Sequence, residues 1–289
     1  MLVPDEVRKC VAFIGADAGT GRHFVGTCAF LSVGAEDWHF TYAVTAAHVI
    51  EGIRHAPGSD GKVYLRMNQK AAGARWVVTT VEQWLTHPTD TSVDVAVFPM
   101  PFTFEDWDHM SFGMVGAITQ ETAKTQGIGP GDEVFLTGLF VNHSGSDRNI
   151  PIVRLGAIAA MPEEPVRTQR GPIDAYLIEA RSIGGLSGSP VFVNLGLVRS
   201  IEGTVKLASK SAPFYLLGLM HGHWRVETVT DLVVADGLRE EIVNMGIGIV
   251  IPAYKINEVL DQPILKEPRD SALADHFAAT LPIPDAPND

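Results

Sequence analysis

At 289 residues the chain is long enough to bury one large β domain or two closely packed β units. Its net charge of −12 excludes the clustered Lys and Arg that non-specific nucleic-acid binding requires, and no apolar run reaches the roughly 18 residues of a membrane-spanning helix. With 46% hydrophobic and 19% charged residues, 28 glycines and 18 prolines, the composition favours many short strands joined by turns over long surface helices.

From the start, MLVPDEVRKCVAFIGADAGT lacks a basic leader, a sustained apolar core and a small-residue cleavage site, so no secretory signal is expected and the expected location is cytoplasmic. Cys10 and Cys28 are the only cysteines. They are expected as reduced, buried thiols in keeping with that compartment. Stretches rich in β-branched and aromatic residues recur between turn signals at residues 11–14, 24–33, 40–45, 62–67, 75–85 and 93–98. These six strands suit one antiparallel barrel, predicted to span residues 1–110. Residues 111–130 mix Pro, Gly and polar residues without periodicity and are expected to connect the halves. A second set of six strands follows at 133–140, 151–160, 175–179, 190–193, 215–221 and 246–251, so a second barrel is predicted over 131–261. Pro252 followed by AYKINEVL predicts a short C-terminal helix. Residues 262–289, rich in Pro, Ala and Asp, are expected to form a mobile or peripherally docked tail.

Three segments carry chemistry. In Thr45-Ala46-Ala47-His48-Val49 an imidazole follows an apolar strand, in a turn of small residues at a barrel rim. In Ser92-Val93-Asp94-Val95-Ala96-Val97-Phe98 a carboxylate opens an apolar strand, where a lone acid needs a partner. In Gly184-Gly185-Leu186-Ser187-Gly188-Ser189-Pro190-Val191 a glycine-flanked serine leads into another strand, and its small neighbours leave the hydroxyl accessible. Acyl transfer calls for these three types, because a serine hydroxyl is a poor nucleophile until an imidazole takes its proton. The imidazole in turn needs a carboxylate to fix its tautomer and stabilise its cation. The glycines allow backbone angles that aim successive N–H groups at one point, and the oxyanion hole is assigned to the N–H groups of Gly185 and Ser187. Singly, each residue has a plainer reading: a turn serine, a structural histidine, a strand-start cap. Their order and spacing argue for the joint one. Asp90, in the loop His87-Pro88-Thr89-Asp90, is the competing acid and reads as a solvated loop residue. An α/β-hydrolase would need Gly two positions after the serine, where Ser189 stands.

In chain order, TAAHV, VDVAVF and GLSGSPV resemble the His, Asp and Ser motifs of the trypsin-like (chymotrypsin-fold) serine peptidases. His48 precedes Asp94 by 46 residues, and Ser187 follows at about twice that interval, separations similar to those of the family. The resemblance spans roughly residues 11–260, and the GxSGSPVF form of the serine motif is similar to that of the bacterial glutamyl endopeptidases. It implies two six-stranded antiparallel barrels, a His48–Asp94–Ser187 triad, a protein or peptide substrate and no cofactor. It departs from the digestive members in having Leu186 where many carry an acid before the nucleophile, and Val49 where a cysteine usually follows the histidine. No N-terminal salt-bridge activation is therefore implied.

For the substrate pocket the resemblance points to Glu179-Ala180-Arg181-Ser182-Ile183, where Arg181 takes the place of an acid in enzymes that cut after basic residues. Arg181 and Ser182, joined by His221 or His223 from the strand that resembles the family's substrate-backbone-binding strand, would favour acidic side chains. Arg181 also reads as an ion-pair partner of Glu179. As a metal pair, His221 and His223 lack further ligands at a recognisable spacing, so no metal is expected. Two other functions fit the same motifs: a catalytically silent binding or scaffold module, and a peptidase held latent until a regulatory protein partner opens it.

Overall fold

The structure is a computed structural model that describes residues 3–19, 21–35, 38–168, 171–180, 185–196, 198–201, 204–207, 214–227 and 242–280. Its first half contains α1 (Asp5–Lys9), β1 (Val11–Asp17), β2 (Arg22–Ala35), β3 (Trp38–Thr45), α2 (Ala47–His55), β4 (Lys62–Asn68), β5 (Ala74–Thr80), β6 (Leu85–Thr86) and β7 (Ala96–Pro99). The connecting stretch contributes β8 (Phe112–Gly113) and α3 (Gln120–Thr125). The second half contains β9 (Glu133–Gly138), β10 (Ile152–Ala160), β11 (Val166–Thr168), β12 (Gly171–Ile173), β13 (Tyr176–Glu179), β14 (Pro190–Asn194), β15 (Val198–Ile201), β16 (Thr204–Leu207), β17 (Phe214–Glu227), β18 (Ile242–Pro252), α4 (Ala253–Leu260) and α5 (Pro263–Thr280).

Strands β9, β10, β13, β18, β17 and β14 close into a six-stranded antiparallel barrel. The first half is a curled eight-stranded sheet in the order β5-β4-β1-β2-β3-β7-β6, with β8 added parallel to β2. It has two strands more than the six expected, because the run 75–85 is interrupted and because β8 arises in the stretch expected to connect the halves. A single turn at Val81–Gln83, capped reciprocally by Thr80 and Gln83, separates β5 from the two-residue β6.

Apolar residues sort into three cores. One fills the N-terminal sheet, with Phe30, Leu65 and Met67 fully buried against Ile50 and Ile53 of α2. A second fills the closed barrel around Tyr176, Leu136 and Val191. The third lies between the two sheets, where Leu31, Val95 and Val97 meet Phe135, Phe192 and Ile251, and Ile256 and Leu260 of α4 seal it. Apolar faces on both sides of β2 and β7 explain why those strands read as nearly continuous hydrophobic runs.

Of the residues expected as a mobile or peripherally docked tail, Pro263–Thr280 form α5 and take the docked alternative. Leu265 joins the inter-sheet core. Arg269, 4% exposed, reaches Tyr42 Oη, the Leu260 carbonyl and Asp261. Cys10 and Cys28 are free and buried, and burial pushes the Cys28 thiol up to about 12, out of the range of a reactive thiolate.

His109 ties the connecting stretch to the N-terminal sheet. Its Nδ1–H faces the Lys9 carbonyl at 3.0 Å while Nε2 accepts the Asn68 N–H at 2.8 Å, an arrangement that only a neutral ring satisfies. Burial lowers its pKa to about 4. An unfolded histidine binds its proton near 6.5, so the unfolded state holds more protons between those values and stability falls as pH drops through them. Thermal unfolding should therefore lose about 3 kcal/mol from roughly pH 6.5 to roughly pH 4. A non-titrating His109→Gln variant should show a flatter profile there, and an equally steep one would place the titration elsewhere.

Candidate active site

Strands β2 and β3, helix α2 and the Asp94 loop from the first half meet the serine loop and β17 from the second at the seam between the sheets. β3 delivers Thr45 and Ala46, both fully buried, and α2 starts directly after them, which puts His48 in the first helical turn. The N-cap residue Ala46 has no side chain able to cap, so the first-turn N–H groups need an acceptor from elsewhere. Asp94 supplies it: its Oδ1 accepts the His48 backbone N–H at 2.8 Å, and the helix dipole favours the carboxylate there. The other oxygen, Oδ2, lies 2.7 Å from Nδ1 of the His48 ring. Main chain and side chain of His48 are thus fixed by one carboxylate.

Asp94 follows a tightly wound loop. Asp90 Oδ1 accepts from Ser92 N at 2.9 Å and from Ser92 Oγ at 2.6 Å, and the Asp90 N–H donates to His87 Nδ1 at 2.8 Å. Asp90 therefore serves the shape of its own loop. That loop leans on the C-terminal helices through His87 and Glu258, 3.7 Å apart, and through Gln262 Nε2, which donates to the Thr86 carbonyl.

The serine loop is held by a residue the sequence reading did not single out. Thr27, fully buried on β2, donates its N–H to the Ser187 carbonyl at 3.0 Å and its hydroxyl to the Gly185 carbonyl at 2.8 Å. Thr27 Oγ1 accepts the Leu139 N–H, and Thr45 Oγ1 donates to the Thr27 carbonyl at 2.7 Å. One residue of the first sheet thereby fixes both carbonyls that flank Leu186. The loop also packs so closely that Gly188, at φ +82°, has room for no Cβ: one would sit 2.2 Å from both the Thr27 carbonyl and Thr45 Oγ1. Gly185 is likewise in the left-handed region, at φ +97°. Leu186 is buried and Ser187 is partly exposed, its hydroxyl donating to the His221 carbonyl at 3.2 Å.

The residues expected in the substrate pocket fare differently. Arg181 and Ser182 lie outside the described residues. His223 lies on β17 opposite Gly248. His221, expected beside them, turns to the carboxylate instead: its Nδ1 is 2.5 Å from Asp94 Oδ2, and its ring meets that of His48 edge to face at a centroid distance of 5.1 Å. Sequence spacing could not show this, since 127 residues separate the pair.

Burial alone would raise the Asp94 carboxyl, but the hydrogen bonds from His221 and His48 and the charge interactions with both rings outweigh it and hold the group well below the usual carboxylate range. An ionised carboxylate only accepts, so both rings carry hydrogen on Nδ1, and a ring in its neutral form then has its lone pair on Nε2. His48, Asp94 and His221 also offer donor atoms of the kind a divalent metal uses, all within 4.8 Å of one another. Their 2.7 and 2.5 Å separations are those of hydrogen bonds, and metal–ligand bonds of about 2.0 Å would require the rings to move apart. A cavity of about 280 Å³ opens beside His48, lined by Ala16, Asp17, His23, Val25, Gly52 and Ile53 among others.

The protease domain of MamO from Magnetospirillum magneticum superposes with a TM-score of 0.54 over 89% of this chain and 98% of that one, at 17% identity. The fold is that of a trypsin-like serine peptidase. Looser matches are Deg5 (TM-score 0.48, 12% identity, 87% of each chain) and Rv3671c from M. tuberculosis (0.43, 16%, 96% of this chain and 90% of that one). No protein-family model matches the sequence, and no curated protein does. Among the described residues no helix is long and apolar enough to cross a membrane.

Proposed function

We propose that the chain is a serine endopeptidase in which Ser187 is the nucleophile, His48 the general base and then acid, and Asp94 the group that orients His48. The observation that carries this reading is the His48 Nδ1–Asp94 Oδ2 hydrogen bond of 2.7 Å, which leaves Nε2 as the free acceptor at the seam where the partly exposed Ser187 lies. Ser187 Oγ attacks the scissile carbonyl as its proton passes to His48 Nε2, and the N–H groups of Gly185 and Ser187 face the oxyanion. His48 then gives the proton to the leaving amine. A water repeats the sequence on the acyl-enzyme and regenerates the serine hydroxyl. No cofactor takes part.

Support for a preference for acidic residues on the N-terminal side of the cleaved bond rests on Arg181, with Ser182 and His223, since His221 is occupied by Asp94. The Ser187 hydroxyl's bond to the His221 carbonyl favours a second form of the same reading, a peptidase latent until substrate or a protein partner hands that proton to His48.

A mixed peptide library tests the proposal. Cleavage after Asp or Glu is expected, with kcat/KM falling on the acid side as the imidazole base takes up a proton. A profile flat from about pH 5 to 9 contradicts a histidine base, and a basic or small apolar preference removes the assigned role of Arg181.

A further inference from the structure

Asp94 in this chain serves two imidazoles. Oδ2 receives Nδ1 of His48 at 2.7 Å and Nδ1 of His221 at 2.5 Å, while Oδ1 receives the His48 backbone N–H. Asp94 and His221 are the most enclosed members of this group, with side chains 8% and 13% exposed, against 21% for His48. The acid is thus reached by N–H donors belonging to the two halves of the molecule, α2 and β17.

We infer that His221 is a positioning residue for the triad: its Nδ1–H holds the Asp94 carboxylate in register with His48 and shares its charge, so that the two imidazoles and one acid act as a unit. The claim rests on the peptidase reading and adds to it a member that the three motifs do not contain. Two physical consequences follow. With three donors spread over its two oxygens the carboxylate cannot rotate without breaking a charge-assisted hydrogen bond, so its geometry is set before substrate arrives. Sharing Oδ2 also moderates how strongly Asp94 stabilises the cation on His48, because part of its charge already faces a second N–H. A hydroxyl in the same place could donate, but an imidazole adds a rigid ring whose edge packs against His48.

Asparagine separates this role from a merely structural one, because its Nδ2 is the same number of bonds from Cα as the Nδ1 of histidine and can donate from nearly the same point. Alanine removes the donor altogether. His221→Ala is expected to lower kcat about 30-fold with little change in KM, and His221→Asn to recover most of that loss. His221→Ala should also move the acid limb of kcat/KM to higher pH, since an unshared Asp94 holds the proton on His48 more firmly. The titratable groups around His48 in that comparison are Asp94 and His221 against its ring and Asp17 and His23 across the cavity. Equal activity in wild type and His221→Ala would overturn the inference alone, as would an Asn variant no better than Ala with both folded. Wild-type protein that hydrolyses no peptide and takes no fluorophosphonate on Ser187 would overturn the peptidase reading first, and the inference with it.

Discussion

Ser187→Ala is expected to lower turnover by on the order of 10⁶-fold while leaving the fold intact. The two halves of that statement have separate physical grounds. Turnover falls because the acyl-enzyme of the proposed mechanism forms on the Ser187 hydroxyl, and what survives its removal is only binding and oxyanion stabilisation. The fold persists because the loop is held through its main chain. Thr27 secures the Ser187 and Gly185 carbonyls, the Gly188 N–H donates to the Met220 carbonyl, and the Ser189 N–H to that of Leu186. Among the described residues the Ser187 hydroxyl makes one hydrogen bond, to the His221 carbonyl, so its loss should cost about 1 kcal/mol at most in thermal unfolding. Retention of more than a few per cent of wild-type turnover would place the nucleophile elsewhere.

Asp94→Asn should also be drastic, about 10⁴-fold in kcat, and the two carboxylate oxygens explain why. An amide offers one acceptor and one donor where the site presents N–H groups to both oxygens. With its oxygen toward the rings, its NH₂ meets the backbone N–H of His48. Turned the other way, its NH₂ faces both rings and favours the tautomer with hydrogen on Nε2, in which His48 cannot accept the serine proton. Asp90→Asn should change kcat by less than about threefold, since that side chain is engaged with Ser92 within its own loop. A reversal of the two effects, read by steady-state kinetics on the same peptide, would transfer the role to Asp90.

Much of the barrel architecture was legible because the strands announce themselves locally. Alternation and β-branched residues at 24–33, 40–45 and 190–193 fall within β2, β3 and β14, and each is bounded by turn residues. Helix α2 was not legible for an equally physical reason. Its start carries no Ser, Thr, Asp or Asn at the cap, and the acceptor that replaces one is Asp94, 46 residues later. The helical form of α5 was hidden by its Pro-, Ala- and Asp-rich composition, yet Pro263 opens the helix and its docking depends on the tertiary contacts of Leu265 and Arg269.

At the site, the residues of the proposed triad stand out in short motifs, because acyl transfer restricts the residue types so tightly. The supports could not. Thr27 is one threonine in an apolar strand, and its role exists only because β2 passes under the serine loop. His221 sat beside His223 in a pattern suggestive of a pocket wall, and only the fold brings it to Asp94.

The central claim is that Ser187 is the activated nucleophile. Its most direct test is reaction of the purified protein with a fluorophosphonate, followed by peptide mass spectrometry to locate the adduct. The expected result is one adduct per chain on Ser187, absent from Ser187→Ala and strongly reduced in His48→Ala. An adduct confined to another serine, such as Ser189, or peptide hydrolysis that survives at wild-type rate in Ser187→Ala, would contradict the account.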